Sequence, residues 1–208
     1  MGNAFIWDLD GTLLDSYDVI VESLYQSFSK YDIHLSREQI HQYAIAFSSS
    51  ALIEHVSEEK GIDPQLLYDS YAQFSRENYR LIKLMPNAIT VLGKLSSQGA
   101  MHYVFTHRGL TTVPVLKMLG IDTFFQEILT SKSGFARKPA PDALLYLIEK
   151  YNLTRESSYY VGDRSLDMES AKNAGIAGIL YLPEGSPGTP SGAERYIVSD
   201  LIEILEIK

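Results

Sequence analysis

The chain has 208 residues, 45% of them hydrophobic, with no cysteine and a formal net charge of −8. That size and composition suit one sizeable domain, or a domain with a smaller companion, each burying a core. Disulfides, thiolate catalysis and zinc–sulfur sites are excluded, a chain this acidic lacks the basic face nucleic acid requires, and no apolar run approaches the roughly 18 to 20 residues that span a bilayer.

Read from the start, Met1-Gly2-Asn3-Ala4-Phe5 has neither the basic region nor the long apolar stretch of a secretory signal. Ile6 also stands where a myristoylation pattern wants Ser or Thr, so the expected location is cytoplasmic. Ala4-Phe5-Ile6-Trp7 is a short apolar run that stops at Asp8-Leu9-Asp10-Gly11-Thr12, as in a strand buried on both faces. Over 16–85 the apolar residues instead recur at helical spacing: Val19, Ile20 and Leu24, later Leu66, Leu67, Tyr71 and Phe74. Ser36 with Gln39 reads as a capping box, and Pro64 suits a first helical turn. No strand pattern is visible there, so the stretch reads as a helical insertion.

From Pro86 the pattern becomes helix, glycine, strand, repeated. Helices close at Gly99, Gly120 and Gly175, and another spans about 141–151; strands follow near 101–106, 127–130, 159–161 and 179–181. Residues 183–193 hold three prolines and three glycines and read as a loop, before a short strand at 196–198 and a terminal helix from about Asp200. Short strands alternating with helices predict an α/β doubly wound parallel sheet. The expected division is a core of 1–15 and 86–208, with a small all-α cap of 16–85 inserted after the first strand.

In such sheets ligands bind beyond the carboxyl ends of the strands. The polar residues that end the apolar runs are Asp8 and Asp10, then Thr106 and His107, then Asp163, with Lys138 ahead of a helix on the same side. Asp8 and Asp10, two apart on extended chain, can point into one volume, and Asp163 adds a third carboxylate. Hard oxygen ligands gathered in this way suit Mg²⁺. One carboxylate could attack phosphorus while the other protonates the leaving alcohol and later deprotonates water. Gly11 and Thr12 permit a tight turn whose N–H groups can face phosphate oxygens, and Thr106 and Lys138 could bind the remaining ones.

Asp8-Leu9-Asp10-Gly11-Thr12, Thr106, Arg137-Lys138-Pro139-Ala140-Pro141 and Gly162-Asp163-Arg164-Ser165-Leu166-Asp167 resemble, in order and spacing, the four motifs of the haloacid dehalogenase-like hydrolase superfamily. The chain is similar to its phosphoglycolate phosphatase-like branch with a small helical cap. The resemblance implies a Rossmann-like core and a magnesium-dependent phosphatase of a small phosphorylated metabolite. It also implies that Asp8 is the nucleophile and Asp10 the general acid/base, whose backbone carbonyl binds Mg²⁺. Thr106 and Lys138 would then bind phosphate, Asp163 would coordinate the metal, and Asp167, with Gly162 in the same motif, would support it through water or by holding a neighbour.

Relatives usually have Asn after the second-motif Thr; here it is His107, whose N–H can still face phosphate while its imidazole role stays open between substrate contact and proton transfer. Arg108, Arg137 and Arg164 each sit beside a motif and could hold a second anionic group or simply be solvated. The other histidines, 34, 41, 55 and 102, have no metal-ligand spacing and read as surface or packed residues. Taken singly, Asp8 and Asp10 could be turn residues, Thr106 a helix cap and Lys138 a surface lysine; it is the ordered set that points to chemistry. Two other outcomes share these motifs: a sugar phosphomutase of the β-phosphoglucomutase kind, and a non-catalytic binding protein on the same fold. The substrate, the oligomeric state and the cap residues that touch substrate are not readable from the sequence.

Overall fold

The computed structural model describes residues 2–186 and 188–207, so Pro187, inside the expected 183–193 loop, lies outside the described residues. In chain order the elements are β1 (Ala4–Trp7), β2 (Leu14–Asp15), α1 (Tyr17–Ser29), α2 (Arg37–Ala46), α3 (Ser49–Lys60), α4 (Pro64–Asn78), β3 (Lys83–Leu84) and α5 (Ala88–Ser97). They continue with β4 (Met101–Phe105), α6 (Thr112–Met118), β5 (Phe125–Leu129), α7 (Asp142–Lys150), β6 (Ser158–Gly162), α8 (Ser165–Ala174), β7 (Ala177–Tyr181) and β8 (Tyr196–Val198). Two compact units result, one of Met1–Asp15 with Lys83–Lys208 and one of Ser16–Ile82.

The first unit is built on a six-stranded sheet in the order β5-β4-β1-β6-β7-β8. All its pairings are parallel. It is the expected α/β doubly wound, Rossmann-like core. Every residue of β1 is buried, at most 2% exposed, because both faces of the strand are covered. Ile6 packs with Tyr103, Tyr160 and the apolar stripes of α7 (Leu144, Leu147) and α8 (Ala171, Ala174). On the other face Phe5 stacks on Trp7, His102 and Tyr159. The register pairs Trp7 with Val104 on one side and with Val161 on the other. Asp8, Phe105 and Gly162 therefore come next along three adjacent strands, and the loops that follow open at one edge of the sheet.

The second unit holds α1 to α4 around Leu24, Phe28, Ile40, Ile53 and Leu67. Ser36 and Gln39 form a reciprocal capping box, and Pro64 opens α4 behind an Asp63 cap.

Two features depart from the sequence reading. Lys83–Leu84, inside the stretch expected to contain no strand, pairs antiparallel with Leu14–Asp15 and belongs to the first unit. Two residues carry no periodicity, so sequence alone could not show the pairing. The expected terminal helix is a 3₁₀ turn over Leu201–Glu206, started by the Asp200 carboxylate accepting the Ile202 N–H at 3.0 Å.

Candidate active site

The chain leaves β1 through a tight turn in which Leu9 O accepts the N–H groups of Thr12, Leu13 and Leu14 at 3.1, 3.0 and 2.8 Å. Gly11, at φ +81°, supplies the left-handed residue this turn requires. Its N–H donates to Leu14 O at 2.9 Å, and the Thr12 N–H is likewise taken by Leu9 O. The two amides expected to face phosphate are thus both used inside the turn, and Gly11 acts here by its backbone shape. The Thr12 hydroxyl reaches across the site and donates to Asp163 Oδ1 at 3.2 Å.

Asp8 is 2% exposed, with its N–H anchored on Val161 O at 2.8 Å. Lys138 Nζ donates to Asp8 Oδ1 at 3.0 Å and to Asp167 Oδ1 at 2.7 Å. The ammonium is itself buried and lies 5.1 Å from the centre of the Phe105 ring and 5.2 Å from that of Tyr160. Asp167, fully buried, is held on three sides: by Lys138, by the Tyr160 hydroxyl at 3.2 Å and by the Arg164 N–H at 3.1 Å. Gly162 makes room for it, because a Cβ there would lie 2.4 Å from Asp167 Cβ and Cγ.

Asp8, Asp163 and Asp167 each offer a carboxylate oxygen within 4.8 Å of the other two, and all are buried. Burial pushes the Asp8 carboxyl above its ordinary range, with Lys138 opposing the rise and Asp167 adding to it. Burial acts on Asp167 in the same sense, but Lys138 and Arg164 outweigh it and hold that carboxyl low. A buried carboxyl raised in this way is what a further cation would relieve, and an all-oxygen donor set fits a hard divalent ion. The residues present therefore fit a divalent cation.

Asp10 does not join that cluster through its side chain. Arg108, from the loop after β4, donates to Asp10 Oδ1 through Nε at 2.9 Å and through Nη2 at 2.6 Å. The same guanidinium is steadied from behind by Nη1 on Thr111 Oγ1 at 2.9 Å. Thr106 is buried, its N–H bound to Leu129 O at 3.0 Å and its hydroxyl accepting the Arg108 N–H at 3.2 Å. His107 turns its Nε2 to accept the Lys138 backbone N–H at 3.0 Å. The proton of the neutral ring then sits on Nδ1, so the Arg137 guanidinium 3.4 Å from Nδ1 is a neighbouring charge rather than a donor. Burial, with Lys138 and Arg137 adding to it, pushes His107 down to about 3. With Nε2 engaged by the Lys138 amide, the ring braces the segment that bears Lys138.

Residues 5–180 match the family described as haloacid dehalogenase-like hydrolase. The chain belongs to that family. Within it, this hydrolase falls in the phosphoglycolate phosphatase-like branch and is a phosphatase-type enzyme. It is 30% identical to a phosphoglycolate phosphatase of Vibrio cholerae, over 96% of its own length and 93% of the relative's. A pyrophosphatase of Oceanobacillus iheyensis is 24% identical over 97% of this chain and 94% of that one. In three dimensions the hydrolase superposes on a predicted phosphoglycolate phosphatase of Haemophilus somnus with a TM-score of 0.86 at 23% identity, covering 99% and 97% of the two chains.

The structure brings Asp8, Thr106, Lys138, Asp163 and Asp167 to one sheet edge, with Asp10 and His107 beside them. Sequence reasoning did not find the Thr12 hydroxyl on Asp163 or the Tyr160 hydroxyl on Asp167. Thr12 lies inside the first motif, where a hydroxyl is a readable signal; Tyr160, one more aromatic in a buried strand, gives none. Arg108 was singled out for its place beside a motif, but its grip on Asp10 spans 98 residues and left no local trace.

Proposed function

We propose that this hydrolase is a Mg²⁺-dependent phosphomonoesterase of a small phosphorylated metabolite, working through an aspartyl-phosphate on Asp8. One observation carries the reading: a buried lysine shared by two buried aspartates, with a third carboxylate within 4.8 Å. Mg²⁺, held by Asp8, Asp163 and the Asp10 carbonyl, would supply positive charge against the phosphoryl oxygens. Lys138 and the Thr106 hydroxyl bind the remaining oxygens and keep the phosphorus in line with Asp8. An Asp8 oxygen forms a bond to phosphorus as the ester oxygen departs, and Asp10 gives that oxygen its proton. Asp10 then takes a proton from water, whose oxygen displaces Asp8 from phosphorus and releases inorganic phosphate. The relatives named above bear the names of phosphoglycolate and pyrophosphate, both of which carry a second anionic group beside the scissile bond, and we extend that substrate class to this chain. The cysteine-free composition is compatible with a reducing cytoplasm.

The test is phosphate release from a generic aryl phosphate with and without Mg²⁺, in the wild type and in Asp8→Asn. Release that needs Mg²⁺ and is lost in a folded Asp8→Asn protein is expected. Asp8→Asn at near-normal rate would remove Asp8 as nucleophile.

A further inference from the structure

We propose that Tyr160 is a positioning residue for phosphoryl transfer: its hydroxyl joins the end of β4 to the Asp167–Lys138 pair, and so holds the Thr106 hydroxyl and the Lys138 ammonium at the spacing one phosphoryl group requires. The proposal rests on the phosphatase reading above and adds to it a residue that acts through others. The hydroxyl lies 2.9 Å from Phe105 O and 3.2 Å from Asp167 Oδ1, with one proton to give to them. Burial, with Asp167 and Asp8 adding to it, pushes the phenol well above its ordinary range, so the group keeps its proton and remains a donor.

The side chain crosses the sheet to make these contacts. Tyr160 on β6 stands beside Ile6 of β1, and Ile6 stands beside Tyr103 of β4. The phenol therefore reaches over Ile6, two residues before Asp8, and spans two strand spacings, roughly 9.5 Å, to a carbonyl on β4. The peptide it meets is the one that joins Phe105 to Thr106. Its carbonyl accepts the Tyr160 hydroxyl while its N–H donates to Leu129 O at 3.0 Å, so the peptide is gripped from both sides. Thr106 starts from that fixed point, and its Oγ1 accepts the Arg108 N–H at 3.2 Å, which leaves the hydroxyl proton for a phosphoryl oxygen. At the other end, Asp167 Oδ1 takes Lys138 Nζ at 2.7 Å, while Asp8 Oδ1 stands 3.0 Å from the same nitrogen. The ammonium also lies 5.1 and 5.2 Å from the ring centres of Phe105 and Tyr160, the two residues that the hydroxyl ties together. Without the hydroxyl, Lys138 is the remaining donor to Asp167 Oδ1 among the described residues. A buried carboxylate short of a partner draws in the one it keeps, and here that movement takes the ammonium away from Asp8.

Hydrolysis of an aryl phosphate with Mg²⁺ by Tyr160→Phe, which keeps the ring and deletes one oxygen, is the test. Displaced donors cost most where charge builds on the phosphoryl oxygens in the transition state, so the loss should fall on kcat. We expect kcat to drop roughly tenfold, the size seen when a residue behind a binding group is lost, with KM held within about twofold. In a Thr106→Ala protein the same change should cost no more than about threefold, since one of the two groups it places is already gone. Tyr160→Met carries the same comparison if the Phe protein does not fold. A folded Tyr160→Phe protein with wild-type kcat, a loss confined to KM, or the full cost repeated in the Thr106→Ala protein would overturn the proposal and leave the phosphatase reading in place. A wild type that releases no phosphate overturns both.

Discussion

At the scale of single residues, the site is a set of charges that hold one another. Lys138 is shared between Asp8 and Asp167, and that arrangement survives only if Asp167 stays where it is. Gly162 is the residue that lets it stay, because the space a side chain would occupy is filled by the Asp167 carboxylate group. Gly162→Ala is accordingly expected to push Asp167 off Lys138. Overpacking of this kind costs about 1–3 kcal/mol, and a protein of this size loses roughly 2–4 °C in Tm per kcal/mol. Thermal melting and kcat measured on the same variant check it: both should fall together. A wild-type kcat at wild-type Tm would mean that the pocket yields at no cost.

At the scale of elements, β1 and β4 carry a second buried contact on the face away from Ile6. The Trp7 indole N–H donates to His102 Nδ1 at 3.0 Å, and His102 is 1% exposed. Burial pushes this imidazole down to about 4, with the Leu92 backbone opposing the shift. Its folded pKa lies below the unfolded value near 6.5, so between about 6.5 and about 4 the unfolded chain binds the extra proton. The stabilisation is complete above that window and is lost as pH falls through it, at up to about 1.4 kcal/mol per pH unit for one such group. Urea unfolding at pH 7, 6 and 5 should show stability dropping, and His102→Gln, which keeps an acceptor for Trp7, should show a shallower drop. An unchanged slope would put the acid sensitivity elsewhere. The same strands show what a sequence can and cannot reveal. β1 was legible because four consecutive apolar residues buried on both faces leave an unbroken run, and the aspartates were legible because they interrupt it. The two-residue ladder of β2 and β3 was not, since its evidence is a pairing between distant positions. Nor was the use of the Gly11 amide inside its own turn, which depends on where Leu14 O falls.

At the scale of the whole chain, a protein with a net charge of −8 concentrates carboxylates at the site while placing Lys138 and Arg108 against them. The family match covers 5–180, but the motifs that make it recognisable all lie outside Ser16–Ile82. The catalytic groups of the proposed reaction therefore belong to one unit, and the identity of the substrate is the part that motif reading leaves unanswered.

The short ladder at Leu14–Asp15 and Lys83–Leu84 has a practical corollary. Asp15 and Lys83 stand opposite each other as antiparallel partners, so the points where the chain departs and comes back are already as near as the two arms of a hairpin. The helical stretch is thus inserted between two paired backbone positions. Replacing 16–82 by an Asn-Gly turn should give a shortened chain that folds by itself, since such a dipeptide closes two antiparallel arms at this spacing. Far-UV circular dichroism and cooperative melting of the trimmed protein would check this; a chain that fails to melt cooperatively would mean that 1–15 and 83–208 do not fold without 16–82.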